Sequence, residues 1–172
     1  MIEPQDLENI QGLVQEFLTY MVISDFTIQV TVSPEKEDDL KFKDLPNQDV
    51  PRSTDSVDVA VTLPEPQFLI GENGKTLLDV QRVLRIMLNK KMGKMFYVKV
   101  DINGYRAKKI EYLKKMANEL ADQAVTAHES KALPPMSSYE RRIIHAELAQ
   151  RQDVRTQSQG EGFDRSVTIV PK

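Results

Sequence analysis

The chain has 172 residues, no cysteine, no tryptophan, two histidines and a net charge of −3. That length holds one medium domain or two small ones. Without cysteine there is no disulfide scaffold, thiolate zinc site, iron–sulfur cluster or cysteine nucleophile, and His128 and His145 alone cannot make a multi-histidine metal site.

Charge is unevenly distributed. Residues 1–56 hold twelve acids and four bases, whereas 75–115 hold twelve bases and three acids. The basic stretch points to an anionic partner for one face. Taken alone, the stretch is better read as a solvated helix surface. The start, Met1-Ile-Glu-Pro-Gln-Asp6, is acidic where a signal peptide is basic. The best uncharged run near it, Phe17 to Ser24, is too short to span a bilayer. A cytoplasmic protein is expected.

The first element is an amphipathic helix. Leu7, Ile10, Leu13, Val14, Phe17, Leu18 and Met21 recur at three and four residues, with Pro4 in the first turn. Two strands follow at period two, one over Phe26–Val32 and one over Val57–Leu63. Between them, 34–56 is acidic, Pro-containing and aperiodic, and reads as a long loop. Pro64 to Ile70 leaves room for a short helical turn. Gly71-Glu-Asn-Gly74 then opens a helix over about Lys75–Lys91, its wide apolar face built from Leu77, Val80, Leu84, Met87 and Leu88. Phe96, Val98, Val100 and Ile102 mark a third strand, ended by the turn pair Asn103-Gly104. A long helix is expected from Tyr105 to about Ser130. It is stopped by Leu133-Pro-Pro. Ser137 or Ser138 caps the next helix, about Tyr139–Gln150. Alternation over Val154–Ser158 and Ser166–Val170 reads as a hairpin.

Two constellations carry chemistry. In Gly71-x-x-Gly74 the glycines let backbone approach a phosphate, and the helix start aims free N–H groups at it. Such a motif is weak alone. Its place in the order helix, strand, strand, short helix, loop, helix, strand is that of a type II KH fold, whose loop clamps a nucleic-acid backbone. In the second, Arg141 and His145 lie four apart on a helix. Arg141 offers a fork of donors to phosphate, and His145 can stack or donate. Taken alone, both are ordinary surface residues. Tyr105 and Tyr112 stand near bases and could stack on nucleobases, although tyrosines of this kind are more often half-buried packing. His128 reads as structural or solvated. No carboxylate sits in a motif with a nucleophile or base, so no enzyme is expected.

The runs Leu133-Pro-Pro-Met136, Tyr139-Glu-Arg-Arg-Ile-Ile-His145, Val154 to Gly162 and Arg165 to Lys172 closely resemble the R-three-H domain, named for its Arg and His three residues apart. Phe68 to Leu77 and Val100 to Arg106 resemble the KH half of the Jag family, the bacterial SpoIIIJ-associated proteins. The match is dense from Phe68 to Lys172. The resemblance implies an α+β chain. Residues 1–104 would be a type II KH-like domain, a three-stranded sheet with helices on one face, and 105–172 a small α/β R-three-H domain. It implies a bacterial protein that binds single-stranded RNA, or single-stranded DNA, with no cofactor. It also implies links to cell elongation and division and a small single-KH partner protein or self-association. By position, the nucleic-acid-binding residues would be Gly71, Glu72, Asn73, Gly74, Lys75, Arg82, Arg106, Arg141, Arg142, His145 and Arg165. The chain departs from the family twice. Glu72 and Asn73 stand where basic residues are usual, and the first KH helix is expected so close to Met1 that the Jag N-terminal domain many members carry is expected to be missing. With Glu72 in the clamp, a KH half that serves as a protein-interaction module is the alternative.

Overall fold

A computed structural model describes residues 2–33 and 56–172. The loop expected at 34–56 lies outside the described residues, except Ser56, which opens a strand. The chain divides into two compact units, Met1–Arg106 and Ala107–Lys172.

In the first unit, α1 spans Pro4–Tyr20. Its start is held by the Asp6 carboxylate, which accepts from the Glu3 N–H at 2.9 Å and from Lys94 Nζ at 2.6 Å. Its buried stripe is Ile10, Val14 and Leu18. Met21, expected to continue that stripe, is instead the residue at which the helix ends. The reason is a turn at Val22, whose positive φ of 59° lets the Ile23 N–H fold back onto the Leu18 carbonyl.

Strands β1 (Thr27–Ser33), β2 (Ser56–Thr62) and β3 (Tyr97–Ile102) form one sheet in the order β1-β2-β3. β1 and β2 are antiparallel, with Thr27 opposite Thr62 and Ser33 opposite Ser56. β2 and β3 are parallel, with Val57 opposite Val98 and Val61 opposite Ile102. A parallel pair needs a crossover, supplied by α2 (Gln67–Ile70) and α3 (Lys75–Met92). Val57, Val59, Val61, Val98, Val100 and Ile102 bury one face of the sheet beneath α1 and α3. The turn that opens α3 lies within this crossover, between α2 and α3.

α4 spans Tyr105–Ala127, so its first two residues belong to the first unit and the rest to the second, and it stops three residues before the expected end. His128 takes φ 54°, and the Glu129 N–H returns to the Ala124 carbonyl at 3.1 Å. That leaves Lys131–Ala132 to pair as a two-residue strand, β4, which periodicity did not reveal. Ser137 caps α5 (Ser138–Leu148) through a reciprocal box with Glu140. β5 (Val154–Gln159) and β6 (Ser166–Pro171) form the expected hairpin, and the sheet order is β4-β6-β5. α4 and α5 pack on it through Leu113, Ala117, Ala121, Ala124, Ile144 and Leu148 against Val154, Val167 and Ile169. Arg151 ties the loop before β5 to α4, gripping Asp153 and, at 2.7 Å, Asp122.

Candidate nucleic-acid interface

The glycine turn is built by backbone conformations that side chains disfavour. Gly71, Asn73 and Gly74 have φ of 69°, 54° and 84°. The Glu72–Gly74 segment is a single 3₁₀ turn that runs directly into α3. Space is as restrictive as φ. A Cβ on Gly71 would fall 2.0 Å from Thr76 Oγ1, and one on Gly74 would fall 2.9 Å from the Tyr105 ring. The glycines thus admit neighbours on the inner side of the turn, whatever approaches from outside. Tyr105 is held there by the turn before it. The Asn103 side chain accepts from the Leu63 N–H at 3.0 Å and donates to the Leu63 carbonyl at 2.8 Å. This extends the β2–β3 ladder by one side chain and fixes where α4 starts.

The outer side of the turn carries Glu72 and Lys75, with side chains 82% and 75% exposed and 3.9 Å apart. At that separation in water they offset each other only weakly. Arg82 pairs with Asp79 at 2.9 Å on the outer face of α3. Arg106 is placed differently from the rest. Its Nε donates to the Val100 carbonyl and its Nη2 to Gln81 Oε1 at 2.7 Å, while the same Gln81 oxygen accepts the Val100 N–H. Arg106 therefore closes the free edge of β3 and is not aimed outward from the glycine turn.

Much of the basic block is paired within its own unit. Lys91 meets Glu16 and Lys94 meets Asp6 in the first unit; Lys109 meets Glu140 and Lys114 meets Glu147 in the second. Lys94 is the principal reason the Asp6 carboxyl sits below its ordinary range, and Lys114 does the same for Glu147.

The second constellation is tighter than spacing on a helix implies. Arg141 is half-buried, and its Nη1 donates to the Met136 carbonyl at 2.9 Å. The Met136 N–H in turn donates to the Arg165 carbonyl at 3.2 Å. The Arg141 side chain and the Arg165 backbone thus converge on Met136, with the Arg165 residue itself exposed. Arg142 is exposed one residue along α5.

His145 does not stand free to stack or donate. Its Nδ1 lies 2.6 Å from Thr156 Oγ1 and its Nε2 2.8 Å from Ser158 Oγ. Burial, and secondarily the Arg141 charge, hold its pKa below the ordinary value. Both ring nitrogens are thus engaged by hydroxyls, and in the neutral form one nitrogen donates while the other accepts. Thr156 and Ser158 were not singled out from the sequence. Their signal was there, since residues two apart on a strand share a face. His128 is exposed at the end of α4. Tyr105 is half-buried, as packing tyrosines are, but Tyr112 is 58% exposed. Among the described residues, no cluster of three or more His, Asp or Glu is placed to hold a metal ion.

Comparison with known proteins bears on this geometry. Residues 111–171 match the family model of the R-three-H domain. The chain is 36% identical over 125 residues to RNA-binding protein KhpB of Bacillus subtilis (strain 168), covering 72% of this chain and 60% of that protein. It is 39% identical over 105 residues to RNA-binding protein KhpB of Clostridium symbiosum, covering 61% and 47%. For RNA-binding protein KhpB of Lactiplantibacillus plantarum the identity is 33% over 103 residues, covering 60% and 32%. The chain thus spans less than two thirds of the length of these relatives.

Proposed function

Because this chain is a Jag-family relative of the KhpB proteins and carries an R-three-H domain, we propose that it binds single-stranded RNA through two surfaces, one in each unit. In the first, a sugar–phosphate backbone approaches the outer side of the Gly71–Gly74 turn, met by N–H groups at the start of α3 and by Lys75. In the second, Arg141, Arg142 and Arg165 hold phosphates at the corner that Met136 joins. His145 acts there as a positioning residue, fixing β5 against α5 through Thr156 and Ser158. Arg82 is a peripheral contact, and Arg106 stabilises the first surface from behind. The role is one of binding and not catalysis, in the cytoplasm, as a post-transcriptional regulator linked to cell elongation and division.

The observation that carries this reading is the convergence of Arg141 and Arg165 on Met136 within the matched domain. A second reading, with the first unit docking a small single-KH protein or a second copy, is favoured by Val83 and Ile86, which are 51% and 63% exposed on α3. One titration tests both. A fluorescent single-stranded RNA is added without divalent metal at about 50 mM and about 200 mM salt. Affinity falls with salt as bases displace counterions, and Arg141→Ala weakens it. Binding that ignores salt, or no RNA binding while the chain self-associates or takes up a partner, would overturn the RNA reading.

A further inference from the structure

Tyr112 lies on α4 and belongs to neither surface assigned above. It is 58% exposed, and it does not join the core formed by its neighbours Leu113, Met116 and Ala117. Exposure alone is ordinary for a single aromatic side chain; its surroundings set this one apart. Its setting is basic. Lys108 and Lys109 precede it by four and three residues, and Lys115 follows by three, all neighbours on a helix surface. Lys109 Nζ stands 5.9 Å from the ring centroid and 3.4 Å from Glu140. Lys108 and Lys115 are exposed, and Lys115 is only loosely offset by Glu119 at 3.8 Å. Glu111, also exposed, is the acid next to Tyr112 in the chain.

The chemistry of an occupant follows. Ammonium groups around a flat apolar ring repel a basic protein surface and leave an aliphatic one with desolvated charges. They suit a polyanion that also presents flat rings. A single-stranded nucleic acid does so, with phosphates for the lysines and an unstacked base for the tyrosine. A duplex hides its base faces. We infer that Tyr112, flanked by Lys108, Lys109 and Lys115, is a base-stacking platform for single-stranded RNA on α4, a third contact besides the glycine turn and the arginine corner. This rests on the RNA-binding reading but does not follow from it, because neither of those surfaces includes Tyr112.

The chain has no tryptophan, so Tyr112→Trp places a single indole emitter at the site. The exposed position tolerates the larger ring. Oligouridylate, an abasic strand of the same length and a duplex are titrated into this variant, with binding followed in parallel by anisotropy of labelled RNA. Oligouridylate quenches the indole emission; the abasic strand and the duplex do not. In the otherwise unchanged chain, Tyr112→Ala loses affinity about fivefold or more and Tyr112→Phe loses little. RNA bound by anisotropy with the indole unquenched, or quenched equally by the abasic strand, would overturn this inference alone. A chain that binds no RNA overturns it together with the proposed function.

Discussion

Glu72 gives the sharpest test of the glycine turn, because changing it disturbs charge and little else. Its side chain is 82% exposed, and its one close charged contact among the described residues is Lys75 at 3.9 Å. If a phosphate comes within about 4 Å of that carboxylate, the repulsion in water is about 1 kcal/mol. Glu72→Gln removes it and Glu72→Lys reverses it, a swing of about 2 kcal/mol, or roughly thirtyfold, before screening. At 0.15 M salt the Debye length of about 8 Å trims this to roughly eightfold for Lys and about threefold for Gln. The Lys variant also steepens the dependence of log affinity on log salt by about 0.7, one extra phosphate contact. Anisotropy with a labelled single-stranded RNA at three salt concentrations measures both quantities. Equal affinities for Glu, Gln and Lys at position 72 at the lowest salt would refute phosphate approach to this turn. Aspartates at both glycines would be a poor substitute test, since the new Cβ atoms clash with Thr76 and Tyr105 and unfold the site whether or not RNA binds there.

The remaining predictions concern the folded chain itself. Gly74→Ala should lower stability by about 2 kcal/mol in urea unfolding, roughly half from forcing a side chain to φ +84° and half from the 2.9 Å approach to Tyr105. In a Tyr105→Leu background the second half should vanish; an identical loss in both backgrounds would refute the contact argument. His145 should titrate by NMR below about 6.5, because folding half-buries it between two hydroxyls and beside the Arg141 charge, which disfavours the imidazolium. The unfolded chain then takes up this proton first, so stability is complete above about pH 6.5 and declines as pH falls through the folded pKa. His145→Gln should flatten that part of the profile, and an unchanged profile would show that the ring is not held neutral.

What the sequence determines by itself is local. Period-two alternation in 57–63 and 96–102 assigns faces because successive Cβ atoms point to opposite sides of a strand, and Val57, Val59, Val98 and Val100 are buried accordingly. The Ser137–Glu140 box marks the start of α5 within four residues. The Gly71-x-x-Gly74 turn and the Arg141 to His145 spacing are equally short-range. Helix ends were less legible, because the left-handed residues that stop α1 and α4 are Val22 and His128 and not the glycine that normally signals such a turn. Everything that joins distant segments was decided by tertiary structure. Hydrogen bonds from Arg106 to Gln81, 25 residues away, and from Asn103 to Leu63, 40 residues away, have no periodicity to announce them. They give Arg106 a place at the β3 edge and set Tyr105 against Gly74. The same holds for His145. Its spacing from Arg141 set it on a helix face, but only the packing of α5 on β5 engaged both nitrogens of the half-buried ring with Thr156 and Ser158, because polar atoms drawn away from water need partners.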